Sequence, residues 1–218
     1  MEFIYLSSIV SFVFFLLAAT IYKGYKNESK QKFIANNISK LSLIIAAKNE
    51  EQNINSLIDS LEILDYTNNN FEVIIVDDNS TDKTKEFIQS RISGKKNFTL
   101  IKADSKVIKG KKGALTEGIK KAKHDYIVIT DADCKPERNW LQFIAGSLDY
   151  GYDFVFGVAP ISSENLLVEK ISAFENLRNT FLTIAAVGLN VPYSASARSF
   201  AFKKKSFKKV GGYSNTTE

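Results

Sequence analysis

Four short apolar runs, each ending in a polar cluster and each followed by an amphipathic pattern, fix the class of fold open to this chain. LSLIIAA (residues 41–47) precedes a helical pattern with Ile54, Leu57, Ile58, Leu61 and Leu64 on one face. FEVIIVD (71–77) precedes a helix opening at STDKT and carrying Phe87, Ile88 and Ile92, and FTLIKA (98–103) leads to a stripe of Leu115, Ile119 and Ala122. YIVIT (126–130) leads to a helix expected to begin near Pro136, with Leu141, Ile144, Ala145 and Leu148 in register. Strands apolar throughout are buried on both faces, and alternation with helices covers both, so the pattern predicts an α/β domain around a mostly parallel sheet flanked by helices. Ligands of such sheets bind outside the carboxyl ends of the strands. AAKNEE, DDNSTD and TDADC all stand at those ends.

After DFVFGVAP (153–160), expected as a further strand, the pattern changes. A long helix is predicted from about Asn165 to Ile184, with Leu167, Ile171, Phe174, Phe181 and Ala185 at helical spacing. Glycine- and serine-containing loops and the lysine-rich SFAFKKKSFKKVGGY follow; Gly211 and Gly212 then open a turn in GGYSNTTE that does not read as the close of a domain. The expectation is of a fold that continues past Glu218.

From Phe3 to Tyr22 no residue is charged, and none is proline or glycine. At 1.5 Å per residue such a run reaches about 30 Å, the thickness of a bilayer's hydrocarbon core. Residues 1–22 are therefore read as one transmembrane helix, 23–40 as a juxtamembrane linker and 41–218 as the domain. A cleaved signal peptide competes, but it wants a basic start and a shorter apolar core, and the only charged side chain before the span is Glu2. A buried core helix is a third reading. Lys23, Lys26, Lys30 and Lys32 follow the span, so the positive-inside tendency puts the domain in the cytoplasm, at the cytoplasmic membrane.

A single cysteine, Cys134, excludes an internal disulfide framework and fits a reducing compartment. A single histidine, His124, read as a solvated turn residue, argues against a His-based zinc site or a serine triad. The formal charge of +5, with lysine-rich blocks at 106–113 and 202–209, suits an anionic partner: nucleic acid, a phosphorylated small molecule or acidic lipid. Nucleic acid is not expected, because these lysines are not interleaved with an aromatic stacking platform.

Asp131 and Asp133 stand one residue apart where the fourth strand ends. In an extended segment residues i and i+2 face one side, so both carboxylates reach one ligand, and hard oxygen donors select Mg²⁺ or Mn²⁺. An Asp-rich turn is the other reading. At the end of the second strand Asp78 is placed to accept from a base N–H or a ribose hydroxyl, Asp77 to brace the loop, and Ser80 or Thr81 to cap the helix. Lys111 and Lys112, between Gly110 and Gly113, precede a helix whose N-terminus itself favours an anion, although the spacing is not that of a Walker A loop.

SLIIAAKNEE, VIIVDDNSTDKT, GKKGALTEG and DADCKPERNWL, in this order, resemble the family 2 glycosyltransferases of GT-A fold over about residues 41–218. The resemblance implies an inverting transferase that uses a nucleotide-sugar donor, UDP-sugars being the commonest. Ala46 and Glu50 would border the nucleotide, Asp78 contact the base and Lys111 approach the diphosphate. Asp131 would lie beside the donor ribose or sugar and Asp133 ligate the metal. An acceptor hydroxyl, deprotonated by a carboxylate, attacks the anomeric carbon. Glu218 matches the first member of the family's acidic pair that supplies this base, and the aspartate that usually follows is absent from the sequence. In ARSFAF, Ala197 and Ser199 stand where members often carry glycine and asparagine; Thr116 replaces a usual asparagine. Two expectations follow: a transferase acting on a lipid-linked or saccharide acceptor in envelope polysaccharide or glycolipid synthesis, whose 218-residue chain has little or no activity by itself, or a degenerate, membrane-tethered module that binds nucleotide sugar without turnover.

Overall fold

The computed structural model describes residues 2–28, 39–104, 107–161 and 166–214. Glu218 and most of the predicted 23–40 linker, Lys30 and Lys32 included, lie outside the described residues. In chain order the elements are α1 (Glu2–Glu28), β1 (Leu41–Ala47), α2 (Ile54–Glu62), β2 (Phe71–Asp77), α3 (Thr84–Ile92), β3 (Phe98–Lys102) and α4 (Gly110–Lys121). Then come β4 (Tyr126–Asp131), α5 (Trp140–Tyr150), β5 (Phe154–Phe156), α6 (Leu167–Gly188), β6 (Phe200–Lys203) and α7 (Lys204–Lys209). They form two units: α1 with residues 160–195, and the α/β body with the remainder.

The body is built on one sheet of order β3-β2-β1-β4-β6-β5. The first four strands are parallel, while β6 runs antiparallel to both β4 and β5. Three of the four apolar runs, β1, β2 and β4, are strands covered on both faces, whereas β3, at the edge of the sheet, is buried only at Phe98 and leaves Thr99 and Lys102 exposed, against the expectation for that run. Leu43 and Ile45 point to a core shared with Leu57 and Ile58 of α2, Ile88 of α3, and Leu141, Ile144 and Leu148 of α5. Ile44 points the other way, with Ile74, Val76, Ile127 and Ile129, against Ala114, Leu115 and Ile119 of α4 and Phe202 of β6. That is the period of two expected of a strand. Gly118 lets α4 come close to the sheet: a Cβ there would lie 2.4 Å from Ile44 Cγ2.

Three local expectations are corrected. The strand expected over 153–160 is only Phe154–Phe156, and its partner β6 was not foreseen. Helix α5 starts at Trp140, not near Pro136, because the carbonyl of Arg138 accepts the N–H of Asp65 (2.7 Å) and the intervening residues turn. His124 is partly buried, its N–H donating to Ser42 Oγ (3.2 Å), at the sheet edge opposite the carboxyl ends of β1 and β4.

In the other unit, α1 continues past Tyr22 through Lys23 and Lys26 to Glu28. Its Ser7–Glu28 portion, of mean hydropathy 1.6, is long and apolar enough to cross a membrane. Helix α6 packs on its C-terminal turns through Gly24, Tyr25, Phe181, Ala185 and Gly188.

Candidate functional site

The parallel register brings the carboxyl ends of β1, β2 and β4 level. Ala46 of β1 lies opposite Val76 on one side and Asp131 on the other, and Ala47 lies opposite Asp77. Ala46 thus presents only a methyl group between the strand ends that carry Asp77 and Asp131.

Two of the loops on this edge are laced together. Asn49, at a φ of 57° that asparagine tolerates, donates its N–H to Ser80 Oγ (3.1 Å) and accepts the N–H of Thr81 on Oδ1 (2.8 Å). Glu50 donates its N–H to Thr84 Oγ1 (2.7 Å), and its Oε2 accepts from Asn53 Nδ2 (2.8 Å). Glu51 and Asp82 exchange bonds with the opposing backbone: Glu51 N–H donates to Asp82 Oδ2 (3.2 Å) and Lys83 N–H to Glu51 Oε2 (3.1 Å). Partial burial raises the Asp82 carboxyl, but bonds from the Thr84 hydroxyl, the Thr84 N–H and the Glu51 N–H outweigh it and hold the group below its ordinary value. The Ser80 or Thr81 cap expected for α3 is not made, because the helix begins only at Thr84, whose N–H donates to Asp82 Oδ1 (3.0 Å). Asp77 is buried and its Oδ1 accepts the N–H of Ser80 (3.0 Å), so it braces the loop. Asp78 is also buried, held by its own N–H to the carbonyl of Ala47 (2.8 Å).

Lys111 and Asp131, from α4 and β4, meet as an ion pair: Nζ lies 2.6 Å from Oδ1. Lys111 sits in the first turn of α4, where the helix dipole disfavours a cation, and Lys109 provides no side-chain cap. Helix stability therefore does not account for a lysine at this position. Thr116, one turn further on, bonds back to the carbonyl of Lys112 (2.8 Å).

Asp131 is the last residue of β4, and the Cys134 N–H donates to its carbonyl (3.2 Å), closing a turn. Asp133 therefore lies in a turn and not in the extended pair the spacing predicts, and it is exposed. Cys134 Sγ is 3.7 Å from Asp133 Oδ1, and burial pushes the thiol up. Among the described residues no group of three or more His, Cys, Asp and Glu side chains is placed to hold a metal. Two carboxylates are nonetheless a fitting hard-oxygen set for an ion that usually keeps waters and takes phosphate oxygens as its remaining ligands.

Thr130, Trp140 and Tyr213, neighbours of this edge, were not singled out in the sequence. Thr130, buried, donates from Oγ1 to the carbonyl of Arg198 (2.7 Å), which fixes the segment before β6 against the end of β4. Trp140 Nε1 donates to Ser199 Oγ (2.8 Å), so that hydroxyl is engaged inside the protein. Gly211 and Gly212, both of positive φ, return Tyr213 onto Phe207 with rings edge-to-face at 5.1 Å. Burial, and secondarily the charge of Asp131, push the Tyr213 hydroxyl up to about 12, so it stays protonated beside the candidate site.

Residues 42–211 match the family model described as Glycosyl transferase family 2. A beta-monoglucosyldiacylglycerol synthase of Nostoc sp. is 34% identical over 105 residues, 48% of this chain and 22% of that protein. The mannosyltransferase PcManGT of Pyrobaculum calidifontis, solved in complex with GDP-Man and Mn²⁺, superposes with a TM-score of 0.63 at 21% identity over 90% of this chain and 56% of its own. S. aureus TarS in complex with UDP-GlcNAc gives 0.57 at 20% identity over 79% and 47%. These likenesses establish the fold as GT-A. The chain spans about a fifth of the length of the curated relative and about half of the two solved chains.

Proposed function

Since the chain belongs to glycosyl transferase family 2, we propose that it moves a sugar, with inversion, from a nucleotide-diphosphate donor, UDP-linked in the first instance, to an acceptor hydroxyl at the cytoplasmic face of a membrane. Asp78 accepts from the base, Ala46 and Glu50 border the nucleoside, and Lys111 turns from Asp131 to the diphosphate. Asp131 and Asp133 hold Mg²⁺ or Mn²⁺, which when bound offsets the charge that develops on the leaving diphosphate. The acceptor oxygen bonds to the anomeric carbon from the face opposite the diphosphate, whose C–O bond breaks. A carboxylate takes the hydroxyl proton. Glu218, outside the described residues, is the candidate for that base. Helix α1 is the membrane anchor, residues 41–218 are the transferase domain, and the acceptor is a lipid-linked or saccharide hydroxyl. The lipid in the name of the Nostoc relative supports that class of acceptor.

The observation that carries this reading is the Lys111–Asp131 pair at the carboxyl edge of the sheet: a cation and an anion, drawn from separate elements, that a diphosphate and a divalent cation can take apart. Isothermal titration of UDP and UDP-sugars into the chain, with and without Mn²⁺, tests it. Metal-dependent binding that disappears in Asp133→Ala is expected; binding indifferent to both metal and mutation would refute the assignment. The second reading, a binder without turnover, is favoured by Ser199, whose hydroxyl is occupied by Trp140. Transfer or donor hydrolysis above background, lost in Asp133→Ala, excludes it.

A further inference from the structure

One face of α6 is covered at its C-terminal end and bare over the rest. At that end the helix meets α1 at very close range: a Cβ on Gly188 would lie 1.9 Å from the carbonyl oxygen of Gly24, and one on Gly24 would lie 2.2 Å from that of Ala185. The rings of Tyr25 and Phe181 are 4.8 Å apart, and Asn27 Nδ2 donates to the carbonyl of Gly188 (3.2 Å). Followed back at helical intervals, the same face carries Leu177, Phe174, Ile171 and Leu167, which are 60, 65, 55 and 73% exposed. At about 100° per residue all of these fall within an arc of roughly 120°. A stripe of this kind on a helix in water is normally turned to a core, and a large exposed one marks an interaction surface.

The geometry points to a lipid bilayer as its occupant: α6 lies in the headgroup layer, with the face from Leu167 to Leu177 turned toward the acyl chains. The inference rests on the reading of α1 as a membrane anchor. The crossing at Gly24 lies just past the apolar run of α1 and between Lys23 and Lys26, the basic residues that mark the membrane–water boundary of a span. Helix α6 is thereby held at headgroup level, and the face that α1 covers is continuous with the bare one. Lys170 and Arg178 fall within the arc of the stripe, where long basic side chains can reach back to phosphate headgroups while their stems stay in apolar surroundings. Ser172 and Asn179 lie on the opposite side and are exposed, as is Val168 beside them. With Glu169, Lys170, Glu175 and Arg178 distributed along its length, the helix is suited to lie in the plane of an interface and not to cross it.

The test uses the whole chain in a Cys134→Ser background, reconstituted into phosphatidylcholine–phosphatidylglycerol vesicles. A bimane label is placed in turn at Phe174→Cys, Leu167→Cys, Ser172→Cys and, on α1, Phe14→Cys. Quenching by a doxyl-labelled lipid is compared with quenching by aqueous iodide. Positions 174 and 167 are expected to be quenched by the lipid probe several-fold more than position 172, which iodide should quench. Lipid quenching at 14 together with iodide quenching at 174 and 167 overturns the inference and leaves the anchor standing. Protection of 174 and 167 from both probes also overturns it, because the face is then covered by protein, a second copy included. Iodide quenching at 14, 167 and 174 alike removes anchor and inference together.

Discussion

Replacing Lys111 by methionine is expected to move two affinities in opposite directions. Its Nζ is 2.6 Å from Asp131 Oδ1, with the lysine side chain 46% and the aspartate 20% exposed. A pair so open to water contributes about 0–1 kcal/mol to folding, so Tm should change by less than about 4 °C. Toward a diphosphate, however, the ammonium supplies a charge-assisted hydrogen bond of about 1.5–3 kcal/mol, and its loss should raise the Kd for UDP at saturating Mn²⁺ roughly 10- to 150-fold. Toward Mn²⁺ alone the sign reverses. The ammonium both occupies Asp131 and repels the ion, and two unit charges about 4 Å apart interact by about 1 kcal/mol in water and about 4 kcal/mol at an effective dielectric of 20. With the pair between those limits but nearer the wet one, about 1–2 kcal/mol is recovered, a gain of roughly 5- to 30-fold in Mn²⁺ affinity. Calorimetry reads the first quantity, electron paramagnetic resonance of free Mn²⁺ the second, and a thermal melt the control. If both affinities fall together, or neither moves while Tm drops by far more than the exposed pair allows, Lys111 belongs to the scaffold and the reasoning fails.

Glu72→Gln probes the opposite end of the sheet. Burial raises that carboxyl, but bonds from Ser42 Oγ (2.6 Å) and the Lys123 N–H (2.7 Å), with the charge of Lys123, leave it below its ordinary value. The stability it confers is therefore present above the ordinary carboxylate pKa and is lost as pH falls through the lowered one. Urea melts should show the variant weaker by about 1.5–3 kcal/mol at pH 7, with the gap closing as pH falls below the ordinary carboxylate range; a gap constant with pH would contradict the linkage. Gly118→Ala drives a methyl to 2.4 Å from Ile44 Cγ2 and should cost about 1–3 kcal/mol in the same assay, whereas a neutral or stabilising result would mean α4 moves off the sheet freely. Trp140→Phe removes the bond to the buried Ser199 hydroxyl and should cost about 0.5–1.5 kcal/mol while leaving UDP affinity unchanged; a UDP Kd that shifts with it would place Ser199 in the donor site.

What was legible in the sequence is what a local period can encode. LSLIIAA, FEVIIVD and YIVIT read as strands because each is buried on both faces, and α4 was legible through the buried stripe of Leu115 and Ile119, although it begins at Gly110, taking in Lys111 and Lys112, and ends before Ala122. What stayed hidden depends on partners distant in the chain. Strand β6 has four residues, too few for a period, and exists because β4 and β5 pair with it on either side. The late start of α5 comes from the N–H of Asp65, and the occupation of Ser199 from Trp140, 59 residues earlier. Tyr213 reaches the candidate site only through the glycine turn after α7. The same distinction explains α6. Spacing identified the helix, but a period is indifferent to what lies opposite the apolar face, and core, partner and lipid leave one signature in the sequence. The acidic edge is the converse case. Its residues stood out because polar groups interrupt apolar strands at equivalent positions, yet their pairing, Lys111 to Asp131 and Asp77 to its own loop, is set by the parallel register and by the close seat that Gly118 gives α4. A site of this kind announces its composition locally and acquires its geometry only when the sheet has formed.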